Sequence, residues 1–85
     1  LIWFQIIENQ NKPIGAIRIF GGEISIWVDR NHWGLGVATQ VLNSESTKGQ
    51  YARIVNGNVS SFRAFVKAGF VPYAYTDNHY LLMKQ

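Results

Sequence analysis

Apolar residues alternate with polar ones, or run together, in six short segments of the chain, and this pattern predicts β-strands. The segments are rich in Ile, Val and aromatic residues and are bounded by Asn, Asp, Gly and Pro, which favour turns. The predicted strands are Trp3–Glu8, Ile14–Phe20, Glu23–Val28, Tyr51–Val55, Val71–Thr76 and His79–Lys84. Short connections predict antiparallel pairing among the first three strands and between the last two, with a turn over residues 9–13 after the first strand.

Two further segments repeat apolar residues at helical spacing. The first predicted helix is Val37–Glu45 and the second is Ser60–Ala68. Asn58 is suited to cap the second helix at its start, and Gly69 is suited to end it. The predicted apolar faces are Val37, Ala38, Val41 and Leu42 in the first helix and Phe62, Phe65 and Val66 in the second.

The resulting order, β-β-β-α-β-α-β-β, predicts an α+β fold with a mixed, mostly antiparallel sheet and helices packed on it. The third and fourth strands are joined through a helix, so they should be parallel neighbours with a right-handed crossover. The length of 85 residues predicts a single domain over residues 1–85.

Composition narrows the function classes. The net charge of +3 is mild and its eight basic residues form no block, which argues against nucleic acid as a partner. The chain has no Cys and only two His, so no metal site is expected. No apolar run approaches the roughly 20 residues that cross a membrane. These features predict a cytoplasmic domain that does not bind membranes.

The segment Ile26–Leu42 carries the most specific signal. It passes from an apolar strand through Gly34 and Gly36 into a helix start. Free backbone N–H groups at such a helix start attract anions, and glycines let a ligand approach the backbone closely. The segment therefore predicts a site for a phosphate-bearing ligand.

Two motifs resemble those of the GCN5-related N-acetyltransferase (GNAT) superfamily. The strand-to-helix turn, residues 33–38, reads Trp-Gly-Leu-Gly-Val-Ala and is similar to the acetyl-CoA signature of that family. Residues 58–70 read Asn-Val-Ser-Ser-Phe-Arg-Ala-Phe-Val-Lys-Ala-Gly-Phe and resemble the family's second motif. The extension of the turn to Thr39, together with Asn58, Ser61 and Arg63, is most similar to the RimJ/RimL-type branch.

The resemblance implies an acyl-CoA N-acyltransferase fold and transfer of an acetyl group from acetyl-CoA, the co-substrate, to a primary amine. The acceptor stays open among a protein N-terminus, an amino sugar and a small amine. The resemblance also implies the cofactor-binding residues, which are Trp27, Val28, Trp33, Gly34, Leu35, Gly36, Val37, Ala38, Thr39, Asn58, Ser61 and Phe65. Glu23 is the carboxylate nearest to a general-base position, and the alternative for it is a solvated residue at the strand edge.

The chain also departs from the family pattern. Trp33 stands where Gln or Arg is usual, and it either contacts the cofactor or simply packs over the turn. Phe65 stands where many members have a Tyr that acts as general acid, which leaves water, Tyr73 or Tyr75 for that role. The strand and two helices that begin the family fold are missing, so we interpret the chain as N-terminally truncated. The alternative function is therefore a non-catalytic acyl-CoA-binding or structural remnant that forms a homodimer.

Overall fold

This computed structural model describes residues 2–43 and 47–84, and for residues 2 and 3 it describes the backbone only. The strands are β1 (Ile2–Asn9), β2 (Lys12–Phe20), β3 (Glu23–Val28), β4 (Tyr51–Val55), β5 (Phe70–Thr76) and β6 (His79–Lys84). The helices are α1 (Val37–Leu42) and α2 (Val59–Lys67), and a 3-10 turn spans Arg30–His32. The predicted element order is confirmed. The predicted end of the first helix at Glu45 lies outside the described residues; α1 ends at Leu42 with Asn43 as its C-cap.

The six strands form one sheet in the order β1-β2-β3-β4-β6-β5. All neighbouring pairs are antiparallel except β3 and β4, which run parallel as predicted. Three two-residue turns, Gln10-Asn11, Gly21-Gly22 and Asp77-Asn78, join antiparallel strands, and each of their residues has positive φ, a conformation that Gly, Asn and Asp tolerate better than most residues. The prediction of a longer turn over residues 9–13 was wrong because Lys12 and Pro13 already pair with β1.

One face of the sheet carries the core, and both helices pack on it. The buried cluster consists of Ile17, Ile24, Leu42, Ala52, Ile54, Phe65, Ala68, Phe70 and Leu82. Phe65 meets Phe70 edge-on at a ring-centroid distance of 4.9 Å, and Phe62 packs partly buried against the cluster. The prediction that Val66 belongs to the buried face of α2 was wrong, because its side chain is 42% exposed.

The other face of the sheet, which we call the open face, bears no described helix. The strand register places Phe4 opposite Arg18 and Phe20 opposite Glu23 on this face. The exposed large apolar residues that the register assigns to it are Phe4, Ile6, Phe20, Trp27, Val55, Val71 and Met83. The chain therefore has one apolar layer inside its core and a second one in contact with solvent.

Candidate functional site

The parallel strands β3 and β4 separate soon after they begin. Among the described residues they pair only at Glu23 with Tyr51 and at Ile24 with Ala52. Beyond these pairs, the carboxyl-terminal half of β3 has no partner strand on its β4 side in the described part of the chain. Backbone polar groups in such a gap need another partner. The gap is therefore a place where a ligand can bind between two strands.

A cavity of about 580 Å³ lies at the splayed strand ends, between the glycine turn and α2. Its volume is within the usual range for small-molecule sites, roughly 300–1,000 Å³. Its walls are Ile26, Trp27, Val28, His32, Trp33, Gly34, Gly36, Val37, Ala38, Thr39, Asn58, Val59, Ser60, Ser61, Arg63, Ala64, Phe65 and Lys67. We call this space the cleft.

The glycine turn forms one wall of the cleft. Gly34 and Gly36 both have φ of 78°, and apart from the adjacent residues of the chain a Cβ at either position would meet no atom within 4 Å. Glycine is needed here for backbone conformation, since an L-residue at positive φ is strained. The Gly36 carbonyl accepts the Gln40 N–H at 2.9 Å and so begins α1. The open space over both glycines leaves the backbone accessible to a ligand.

Trp33 connects the turn to the end of β3. Its indole N–H donates to the Val28 carbonyl at 2.7 Å, and the Arg30 guanidinium lies 5.6 Å from its ring centroid. These contacts agree with the interpretation of Trp33 as a residue that packs over the turn. Because Trp33 also lines the cleft, contact with a ligand remains compatible with this position.

The opposite wall is α2 together with its cap residue Asn58. Asn58 caps this helix as predicted, because its side-chain oxygen accepts the Ser61 N–H at 3.4 Å. The Thr39 hydroxyl donates to the Ala64 carbonyl at 3.5 Å and joins α1 to α2 across the floor of the cleft. Phe65 is almost fully buried between the cleft and the core and has no proton to donate.

The structure brings most of the predicted cofactor-binding residues together. Every one of them lines the cleft except Leu35, whose side chain is 69% exposed in the turn. Sequence reasoning missed several wall residues, which are Ile26, His32, Val59, Ser60, Arg63, Ala64 and Lys67. Ser60, Arg63, Ala64 and Lys67 follow the i, i+3, i+4, i+7 spacing of one helix face. That helical spacing is the sequence signal from which these four wall residues could have been identified.

The formally charged side chains of the cleft wall are all basic. Arg63 and Lys67 line it, and its walls contain no Asp or Glu side chain among the described residues. The nearby Asp29 lies 3.9 Å from His32 Nδ1 but is not part of the wall. A cavity whose charged side chains are all basic raises the local concentration of anionic ligands.

Glu23 lies at the opposite end of β3, on the open face, and does not line the cleft. Its carboxylate accepts the Tyr51 hydroxyl at 3.3 Å and faces the Arg53 guanidinium at 3.8 Å. Partial burial, and then the negative charge of Glu23, raise the pKa of the Tyr51 hydroxyl above its ordinary value. Neither Tyr73 nor Tyr75 belongs to the cleft wall, and the Tyr75 hydroxyl is bonded to the side chain of Asn78 at 3.0 Å.

The part of the chain that the structure describes offers neither a metal site nor a helix that could span a membrane. No group of three or more His, Cys, Asp or Glu side chains is arranged there to hold a metal ion. None of the described helices combines the length and the apolar character needed to cross a bilayer.

Solved structures share this architecture. The GNAT domain of PAT from S. lividans superposes with a TM-score of 0.81 at 18% identity, over 95% of this chain and 58% of that one. The chain has the GNAT acyl-CoA N-acyltransferase fold. N-acetyltransferase PseH of Campylobacter jejuni, solved in complex with acetyl coenzyme A, matches this GNAT fold with a TM-score of 0.74 at 16% identity, over 99% of this chain and 68% of that chain.

A third structure with this GNAT fold is a chimera of spermidine N-acetyltransferase SpeG from Vibrio cholerae and hSSAT. It has a TM-score of 0.73 at 15% identity, over 95% of this chain and 65% of that one. At identities this low, the structural similarity establishes the fold alone. The chain spans 58% of the length of the S. lividans domain. No protein-family model matches the chain, and no curated protein sequence matches it.

Proposed function

We propose that the chain binds acetyl-CoA in the cleft and transfers the acetyl group to a primary amine. The observation that carries the proposal is the gap between β3 and β4, which opens beside the glycine turn in a GNAT fold. The one solved relative named above with its ligand, PseH, holds acetyl coenzyme A in this same fold. The formally charged side chains of the wall, Arg63 and Lys67, are both basic, which favours a ligand with several phosphates.

Each part of the cleft has a proposed role. The open backbone at Gly34 and Gly36, with the N–H groups up to Ala38, binds the pyrophosphate. The pantetheine arm lies in the gap beside Trp27 and Val28, within reach of the Asn58 side chain. Because Trp33 already occupies the Val28 carbonyl, other backbone groups of the gap are left for the arm. Thr39, Ser61 and Phe65 complete the wall around it.

The proposed chemistry is direct acyl transfer. A neutral amine nitrogen attacks the thioester carbonyl carbon, the C–N bond forms, and the C–S bond breaks to release the CoA thiolate. A strand N–H donated to the carbonyl oxygen stabilises the charge that develops there. A base takes the first proton, which the ammonium loses before attack. The second N–H proton leaves as the tetrahedral intermediate collapses and passes through water to the departing thiolate, since Phe65 has no acidic proton.

Glu23 is our proposed base. It lies beside the last paired residues of β3 and β4, at the closed end of the gap, and on the open face rather than in the cleft. An acceptor that approached from the open face would meet this carboxylate. Arg53 and Tyr51 already contact Glu23, so a catalytic role requires the carboxylate to exchange one of these partners for the amine or for a bridging water.

The acceptor belongs to one of three amine classes: a protein N-terminus, an amino sugar or a small amine. We assign the chain to the RimJ/RimL-type branch on the basis of Trp33, Thr39 and Arg63. We also propose that it is located in the cytoplasm.

The test of the catalytic proposal is release of free CoA thiol from acetyl-CoA in the presence of members of each amine class. Glu23→Gln should lower the rate at least about tenfold, as expected for loss of a general base. A rate no faster than buffer with every amine would overturn the catalytic proposal.

The open face favours a second candidate, a non-catalytic homodimer that retains acyl-CoA binding. Phe4, Phe20 and Trp27 are each more than half exposed there. A half-exposed aromatic side chain presents roughly 100 Å² to solvent. Together with their aliphatic neighbours on the open face, these residues present an apolar area of the same order as the ~800 Å² that each partner buries in a stable interface. Sedimentation should show a dimer that Phe20→Lys disrupts, with no acetyl transfer by either form; a monomer at all concentrations would contradict this candidate.

A further inference from the structure

Two guanidinium groups reach β3 on the open face, one from each of its neighbouring strands. From β2, Arg18 Nη2 donates to the Ser25 hydroxyl at 3.4 Å. From β4, Arg53 Nη2 lies 3.8 Å from a carboxylate oxygen of Glu23. Glu23 and Ser25 are two residues apart on β3, so they point to the same face and lie roughly 7 Å from each other. The two cations therefore flank the carboxylate that we propose as the base.

The positive charge of these two groups exceeds the negative charge that faces them. Arg53 pairs with Glu23, but Arg18 forms no ion pair with any residue that the structure describes. The Arg18 side chain is exposed, and the Ser25 hydroxyl that it contacts is neutral. The Arg53 side chain is 54% exposed, compared with 28% for that of Glu23. Both guanidinium groups are thus open to an anion that arrives from solvent.

Binding of an amine at Glu23 changes the pairing of Arg53. The carboxylate contacts Tyr51 and Arg53, and an incoming ammonium has to replace one of them before Glu23 can take its proton. Replacement of Arg53 leaves two unpaired guanidinium groups, those of Arg53 and Arg18, beside the substrate. They would repel a second positive charge on the acceptor, whereas a negative group on the same molecule would pair with them. The charges around Glu23 therefore favour an acceptor that carries both an amine and an anion.

We propose that Arg18 and Arg53 select a small acceptor that carries a carboxylate or a phosphate on the same molecule as its amine. The inference rests on the proposed function, because it concerns the acceptor of that reaction. The amine meets Glu23, and the anionic group binds the two guanidinium groups, whose charge-assisted hydrogen bonds suit carboxylate and phosphate oxygens equally. The exposed Phe20 ring, opposite Glu23, offers an apolar contact to the body of the acceptor. The acceptor is thus an amino acid or a phosphorylated amine rather than a polyamine.

The test compares matched acceptors in the thiol-release assay at saturating acetyl-CoA. One pair is γ-aminobutyrate with butylamine, and the other is phosphoethanolamine with ethanolamine, so the members of each pair differ in the anionic group. The variants are Arg18→Gln and Arg53→Gln. Lys12→Gln is the control, because it removes the same charge from another exposed position of β2. The readout is the ratio of kcat/KM within a pair, in which any effect of Arg53→Gln on Glu23 itself cancels.

In the unsubstituted chain, the anionic member of a pair should have a kcat/KM at least about tenfold above that of its partner, given the usual strength of hydrogen bonds to charged groups. The pair with this preference identifies the bound group as carboxylate or phosphate. Each arginine variant should lose most of the preference, and Lys12→Gln should keep it. Equal kcat/KM within both pairs, or a preference that survives in both arginine variants, overturns the proposal. Absence of thiol release with every amine overturns the proposed function itself, so the two failures are distinguishable.

Discussion

At the scale of single residues, Gly15 shows how closely the backbones pack beside the cleft. It is buried on β2 opposite Val28, and a Cβ there would collide with the Trp27 carbonyl oxygen. That carbonyl belongs to a backbone that cannot move away without disturbing β3, which forms one side of the gap. Glycine is thus required at position 15 because two strands approach each other closely there, and not because of its backbone conformation.

Substitution of Gly15 by Ala should lower the free energy of unfolding by about 1–3 kcal/mol, the usual cost of overpacking. Urea denaturation measures it. Ser25→Ala on the neighbouring strand β3 is the matched control, and its effect should remain within about 0.5 kcal/mol. Equal stability of the two variants would show that the close contact with Trp27 is absent.

The Tyr51 hydroxyl provides a pH-dependent prediction. Its pKa is raised in the folded chain, first by burial and then by Glu23, so the folded state holds the proton more tightly than the unfolded state does. The resulting stabilisation is complete below the unfolded pKa of about 10 and is lost as pH rises through the folded value.

Accordingly, the unsubstituted chain should lose more unfolding free energy between pH 8 and pH 11 than Tyr51→Phe does. Chemical denaturation at both pH values measures the two losses. Tyr75→Phe serves as the control and should behave like the unsubstituted chain, since the Tyr75 hydroxyl contacts Asn78 rather than Glu23. A Tyr51→Phe chain with the same alkaline loss as the parent would contradict the Tyr51–Glu23 contact.

At the scale of elements, the sequence pattern correctly predicted the features that depend on interactions between residues close in the chain. Alternating apolar residues and Asn-rich turns placed all six strands, and Asn58 was identified as the cap of α2 from its position alone. The errors came from tertiary context. Val66 fits an apolar helix face yet is exposed, because Phe62 and Phe65 already fill the space above the sheet.

For the candidate site too, some residues could be predicted from the sequence and others could not. The glycine turn and Asn58 have sequence signatures, so they could be placed on the cleft in advance. Arg63 and Lys67 share one helix face with Ser60 and Ala64 by their spacing, but the spacing alone does not decide whether that face lines a cavity or meets solvent. That distinction depends on where α2 lies relative to the splayed end of β3.

The cap of α2 can be tested at this scale. Asn58→Ala removes the acceptor of the Ser61 N–H and should cost about 1 kcal/mol of unfolding free energy. Thermal denaturation measures the loss. Asn58→Ser should retain most of the stability because Ser is also a good cap, and Asn56→Ala in the adjacent turn should change little. Equal losses for Asn58→Ala and Asn58→Ser would contradict the capping role.

At the scale of the whole molecule, the sheet separates two environments. Its helix-covered face holds the core, and its open face exposes aromatic side chains together with Glu23, Arg18 and Arg53. The cleft lies where β3 and β4 part, so a ligand in it would touch both environments. In the proposed reaction the acetyl donor enters beside the helices and the amine approaches from the open face.

The most direct test of this account is calorimetric titration of the chain with acetyl-CoA. We predict saturable binding of one acetyl-CoA per chain. Ala38→Glu on the cleft wall should weaken binding at least about tenfold, because a carboxylate there repels phosphate while it remains favourable in the first turn of α1. Gln40→Glu, an equal charge change on the exposed side of α1 away from the cleft, should bind like the parent. Absence of binding at millimolar acetyl-CoA, or equal affinity of the two variants, would contradict the assignment of the cleft.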